Sequence, residues 1–171
     1  MRLTDLVAGL AHPFNGADHI LAMLAIGLWG VVAGGRALWA WPAAFVAMVL
    51  VGFVAAVLGL NVPFVEPAIG CSIVVLGLLV ALAARAPVWL GVVIAGTFAF
   101  FHGHAHGTDA AMAGAGLIEY ATGFSLATAA LHACGLAGGV MLARSAGGEP
   151  LLRATGGVVA VSGLILIAGI S

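Results

Sequence analysis

The chain alternates long apolar runs with short stretches where glycine, proline and charge collect. Runs at residues 17–33, 42–60, 68–84, 88–106, 117–143 and 151–170 read as membrane-spanning helices. Their lengths fit a hydrocarbon core of about 30 Å, which takes roughly 20 residues at about 1.5 Å each. The breaks are Gly34-Gly35-Arg36, a loop with Pro63, Glu66 and Pro67, the Arg85-Ala86-Pro87 turn, a glycine- and alanine-rich connection over 108–116, and a polar turn over 144–153. Trp39 and Trp41 are expected at an interface, with Pro42 opening the second span. Ahead of the first run, Thr4-Asp5 predicts the cap of a short helix over 6–11. That helix should stop at His12, because proline disfavours helix in the residue before it. The pattern predicts an all-α integral membrane protein, with one transmembrane domain over 1–171. Its bundle of six transmembrane helices has a first helix preceded by a short helix and broken near His12-Pro13.

Composition sharpens the class. Hydrophobic residues make up 64% and charged residues 6%, against about 25% charged in soluble domains. There is no lysine, and five arginines are the fixed cations. The 26 glycines, with abundant alanine, suit close helix contact in lipid. A net charge of −1 without a basic patch excludes a nucleic-acid partner. Cys71 and Cys134 fall in apolar runs and read as small packing residues. No cleavable signal is written before the first span, so either that span directs insertion or a leader has been removed.

Charge also predicts orientation. Arg36, Arg85, Arg144 and Arg153 fall in alternate connections, whereas the other two connections carry Glu66 and Asp109 and no arginine. By the positive-inside rule the arginine side is cytoplasmic and both termini face outward, with Arg2 as the dissenter. Five of the six histidines, with Asp18 and Glu119, then gather in the outer half of the membrane.

Ionisable groups in hydrocarbon are expensive, so this gathering marks a functional site. His12, Asp18 and His19 head the first span; a kink at Pro13 would let His12 fold back toward them. His102 and His106 share a helix face, with Asp109 further along that stripe if the helix continues, while His104 points about 200° away. Gly103 and Gly107 clear space beside the imidazoles for an ion or another helix. Imidazole with carboxylate and no thiolate suits Ni, Co, Zn or Fe(II). The candidate metal ligands are therefore His12, Asp18, His19, His102, His104 and His106. Asn15, Asp109, Glu119 and His132 stand as supporting or pathway residues. Plainer readings exist for each: Asp18–His19 as a hydrogen-bonded helix contact, the second tract as a boundary histidine run, Glu119 as a solvated helix start, and His132 as a core histidine bonded to a carbonyl.

The sequence His12-Pro13-x-x-Gly16-x-Asp18-His19, followed by Ala22-Met23 and Gly27-x-Trp29, resembles the first-span signature of the HupE/UreJ family. Phe101-His102-Gly103-His104-Ala105-His106-Gly107 is similar to that family's second motif, and Tyr120-Ala121-x-Gly123-Phe124 and His132 are similar in placement. The resemblance implies a multi-pass protein of the bacterial inner membrane, associated with hydrogenase and urease gene clusters. It implies a nickel, sometimes cobalt, permease supplying those enzymes. Two departures stand out: family members often begin with a cleaved leader, and the acidic position usually held by Glu is Asp109, with a shorter reach. The spacing is also loosely similar to the His-x4-Asp-His signature of larger nickel/cobalt transporters, with one residue more.

The expectation is a non-enzymatic Ni²⁺ (or Co²⁺) permease that binds its ion in the outer half of the bundle, in contact with lipid, and able to form homo-oligomers. The alternatives are an intramembrane zinc-dependent hydrolase, with Zn²⁺ bound and Asp109 or Glu119 as base, and a haem protein with histidine ligands from the first and fourth spans. No nucleotide-binding motif is present, so ATP-driven transport would need a separate subunit.

Overall fold

A computed structural model describes residues 2–169. Among them are seven α-helices, one 3-10 turn and no strand. The helices are α1 (Leu3–Ala11), α2 (Ala17–Ala33), α3 (Ala37–Val57), α4 (Val65–Ala81), α5 (Val88–Met112), α6 (Leu117–Arg144) and α7 (Gly148–Ile167). The 3-10 turn, His12–Phe14, joins α1 to α2, and the two arms are bent by 77°. By length and apolarity α3, α5, α6 and α7 can each cross a membrane, giving four spans, or five if the bent pair counts as one. At 17 residues, α4 is apolar but shorter. The protein is thus an all-helical chain with several membrane-spanning helices.

Several boundaries differ from the expected ones for identifiable reasons. Helix α1 starts at Leu3, so Thr4 and Asp5 lie inside it instead of capping it. Asp5 caps a different helix: its Oδ2 accepts the Gly116 N–H at 3.0 Å, at the N-terminus of α6. The α-helix does stop at Ala11, as expected, but His12 keeps right-handed helical angles as the chain passes into the 3-10 turn. Pro13 is accommodated in the first positions of the 3-10 turn, and the chain extends only at Gly16 (φ −122°, ψ 125°). Helix α3 begins before Pro42, leaving that proline inside it. Helix α5 continues past the expected end at 106 to Met112, which makes Thr108 and Asp109 helical.

Packing is organised by helix pairs: α3 with α5, α4 with α7, and α6 with both α1 and α2. Small residues set the separations. A Cβ at Gly103 would run into the Val49 carbonyl, and one at Gly52 into the Phe100 carbonyl, so α3 and α5 touch backbone to backbone. Gly77 and Gly156 do the same for α4 against α7. In lipid, where apolar tails give no hydrophobic drive between helices, such contact is a principal source of association.

One end of the bundle is closed by tryptophan. Trp29 and Trp41 are fully buried with ring centroids 4.0 Å apart. Their indole N–H groups donate to the carbonyls of Ala84 (2.8 Å) and Val88 (3.0 Å). Trp41 is therefore a core residue and not an interface anchor; Trp39, about 200° around the helix, is exposed. The cysteines correct the sequence reading too: Cys71 and Cys134 are free and lie on the outside of the bundle. Arg36, Arg85, Arg144 and Arg153 lie at the helix ends and turns around this tryptophan-closed end, while Asp18, Glu66, Asp109 and Glu119 lie near the opposite one.

Candidate metal centre

At the acidic end, the bend between α1 and α2 brings His12 and His19 against the same ring of α5, that of His106. Gly16 caps α2 in extended conformation, and a Cβ there would meet the Asp18 carboxylate curling back over the helix start. Asp18 Oδ1 lies 2.8 Å from His19 Nδ1. That bond assigns the proton to Nδ1 and leaves a lone pair on Nε2, which is buried and has no hydrogen-bond partner.

Helix α5 supplies the next two rings. His102 and His106 are four residues apart on one face and both are fully buried. Ser72 of α4 donates its hydroxyl proton to the Ile69 carbonyl at 2.6 Å, so its oxygen is left to accept from His102 Nε2 at 3.0 Å. His102 is thereby fixed with an unpartnered lone pair on Nδ1. His106 has neither ring nitrogen bonded.

The rings form an edge-to-face chain. Centroid separations are 4.7 Å from His12 to His106, 4.3 Å from His106 to His19 and 5.1 Å from His19 to His102. The outer end is open: the side chains of His12 and Asp109 are 30% and 54% exposed, and His12 Nε2 lies 3.4 Å from Asp109 Oδ2. Ligand atoms of His12, His106 and Asp109 all fall within 4.8 Å of one another. Aromatic walls enclose the inner rings: Phe124 is 3.9 Å from His106, and Phe45 is 5.7 Å from His102. A cavity of about 350 Å³ lined by Asp18, Glu66, Pro67 and Gly70 lies beside the start of α2.

Unpartnered imidazole nitrogens with carboxylates at the mouth are a donor set that could hold a divalent transition metal ion, while hard oxygen-seeking ions such as Mg²⁺ and Ca²⁺ are poorly served. A buried polar atom without a partner destabilises a fold unless something fills its place.

A family model described as HupE / UreJ protein matches residues 2–166. The chain belongs to the HupE/UreJ family. Protein HupE of Rhizobium leguminosarum bv. viciae is 42% identical over 164 residues, covering 95% of this chain and 84% of that protein. No solved structure matches the chain.

In this HupE/UreJ chain, then, His12, Asp18, His19, His102 and His106 come together, joined by Asp109 once α5 is extended to reach it. His104 does not join them: its Nε2 bonds the Leu60 carbonyl at 2.8 Å, tying α5 to the loop after α3. Gly103 and Gly107 face the α3 backbone, so the space they clear is filled by a helix. Asn15 is exposed at the bend. Glu119 is half-buried in the first turn of α6, close to the Asp5–Gly116 bond. His132 is 1% exposed, is bonded to no carbonyl, and packs against Phe45. Sequence reasoning did not single out Ser72. The available signal was a lone hydroxyl in an apolar run, and nothing in the run names its partner.

Proposed function

We propose that the chain is a permease for Ni²⁺, with Co²⁺ as a second cargo, in the bacterial inner membrane. The observation that carries this reading is the chain of four imidazoles leading from the exposed His12–Asp109 pair to the fully buried His102. In this reading the polypeptide crosses six times. The bent α1–α2 unit makes the first crossing. Helix α4 makes another with about 25 Å of helix, close to the hydrocarbon thickness. Both termini lie on the periplasmic side, by the arginine distribution.

Asp109 and Asp18 attract the hydrated cation to the mouth. His12, His106 and Asp109 replace part of its hydration shell, and the ion passes to His19 and His102. Asp18 and Ser72 hold those two rings with the lone pair inward. Permeation needs binding strong enough to offset dehydration yet weak enough for release. Neutral imidazoles meet that condition better than a cage of carboxylates would. His104 serves the structure by anchoring a loop, although its tract carries the family resemblance. The nickel delivered would serve hydrogenase- or urease-type enzymes, as the family resemblance implies.

Cells expressing the protein should accumulate radioactive Ni²⁺ above control cells, and His19→Ala or His102→Ala should abolish the difference. Undiminished accumulation in both variants, at equal protein levels, would remove the site assignment.

A further inference from the structure

Beyond the imidazole chain, the inward face of α6 carries a second set of polar groups, outside the cluster formed by His12, His19, His102 and His106. Tyr120, Phe124, Thr128 and His132 recur every four residues and so form one stripe. Three of the four carry buried polar atoms without hydrogen-bond partners: the Tyr120 hydroxyl, Thr128 Oγ1 and both ring nitrogens of His132. Thr128 is fully buried and His132 is 1% exposed. A helical threonine ordinarily bonds the carbonyl a turn back, as Thr108 does with His104 and Thr122 with Ile118; Thr128 does not. Histidine in a membrane interior is ordinarily bonded too.

The stripe leads away from the outer site. Tyr120 stands beside His12 (5.7 Å between ring centroids) and Phe124 beside His106. His132 lies deeper, level with Gly27, more than two turns along α2 from His19. Between His132 and His102 stands Phe45, 5.0 Å from one ring and 5.7 Å from the other. On its far side His132 lines a groove of about 560 Å³ between α3 and α6, bounded by Leu38, Trp39, Pro42, Ala133 and Leu136. Pro42 has no N–H to offer the Leu38 carbonyl, so that helix oxygen lacks its usual donor beside the groove.

We propose that His132, with the Thr128 hydroxyl one turn above it, is a second station for a divalent transition metal ion. It is divided from the outer imidazole chain by the Phe45 ring and borders the α3–α6 groove. This rests on the permease reading. Imidazole, hydroxyl and water make a weaker ligand set than the outer cluster, as a release station requires.

The test uses the full chain reconstituted in lipid vesicles, with radioactive Ni²⁺ uptake measured for wild type, His132→Ala, His132→Asn and Thr128→Val, and Ni²⁺ binding to the same proteins measured at equilibrium. Both His132 variants should keep KM and the binding affinity within about twofold while Vmax falls about tenfold or more; Thr128→Val should lose roughly threefold in Vmax. The asparagine variant guards against a packing defect, since a merely structural role would lower folded yield and binding together. Wild-type Vmax in both His132 variants, or binding lost in step with Vmax, overturns the station and leaves the permease reading standing. A wild type that takes up no Ni²⁺ overturns both.

Discussion

Asp18 Oδ1 accepts a hydrogen bond from His19 Nδ1 at 2.8 Å, and this bond turns the Nε2 lone pair of His19 into the bundle, between His102 and His106. A carboxylate behind an imidazole fixes the tautomer and raises its basicity, and removing such a group weakens metal binding by about 10–100-fold. Asp18→Ala should reduce Ni²⁺ affinity in that range. Asp18→Asn, which keeps an acceptor but loses the charge, should fall between it and wild type. Isothermal titration of the purified protein checks this, and an unchanged affinity for Asp18→Ala would remove Asp18 from the site.

Ser72 does for His102 what Asp18 does for His19, with a neutral oxygen. Ser72→Ala leaves the His102 Nε2 without its acceptor in a fully buried place. The expected cost is about 1–3 kcal/mol of stability, together with a lower Ni²⁺ affinity. Thermal unfolding in detergent and metal titration should move together; a variant as stable and as tight-binding as wild type would refute the role.

Asp109 differs in kind, being more than half exposed and 3.4 Å from His12 at the mouth. Its neutralisation should impair capture more than passage. Asp109→Asn should raise the KM for Ni²⁺ uptake about tenfold with Vmax little changed. A fall in Vmax at constant KM would place Asp109 on a later step.

Close backbone contact predicts a contrast between two glycines. Gly103→Leu forces side-chain atoms into the Val49 carbonyl and should cost about 3 kcal/mol or more, whereas Gly138, with open space around it, should tolerate alanine with no loss. Melting temperatures of the two variants give the comparison, and equal tolerance would mean α3 and α5 are not in contact at Gly103.

Much of this was legible in the sequence because hydropathy and charge are one-dimensional signals. The apolar runs gave the helices, and the expense of burying Asp18, His19, His102 and His106 marked them before any contact was seen. The bend near His12-Pro13 was also readable, although the extended residue is Gly16. Properties that depend on which side a neighbour stands were not readable. Trp41 and Trp39 look alike in sequence, yet one is core and one is surface. His104 shares a motif with His102 and His106 but turns to Leu60. Asp109 fell outside the predicted span because Gly107 and the small residues after it resemble a loop, whereas α5 packs on α3 as far as Gly107 and runs on as helix to Met112. Ser72 became meaningful only when α4 packed beside α5.

In the proposed site, imidazoles from α2 and α5, with His12, hold the ion. X-ray absorption at the nickel K-edge of the Ni²⁺-loaded full chain tests it most directly. The expected spectrum shows a shell of nitrogen and oxygen with outer-shell scattering from about two or three imidazoles and no sulfur, with the imidazole signal reduced in His106→Ala. A shell of oxygen alone without imidazole scattering, or one containing sulfur, would contradict it.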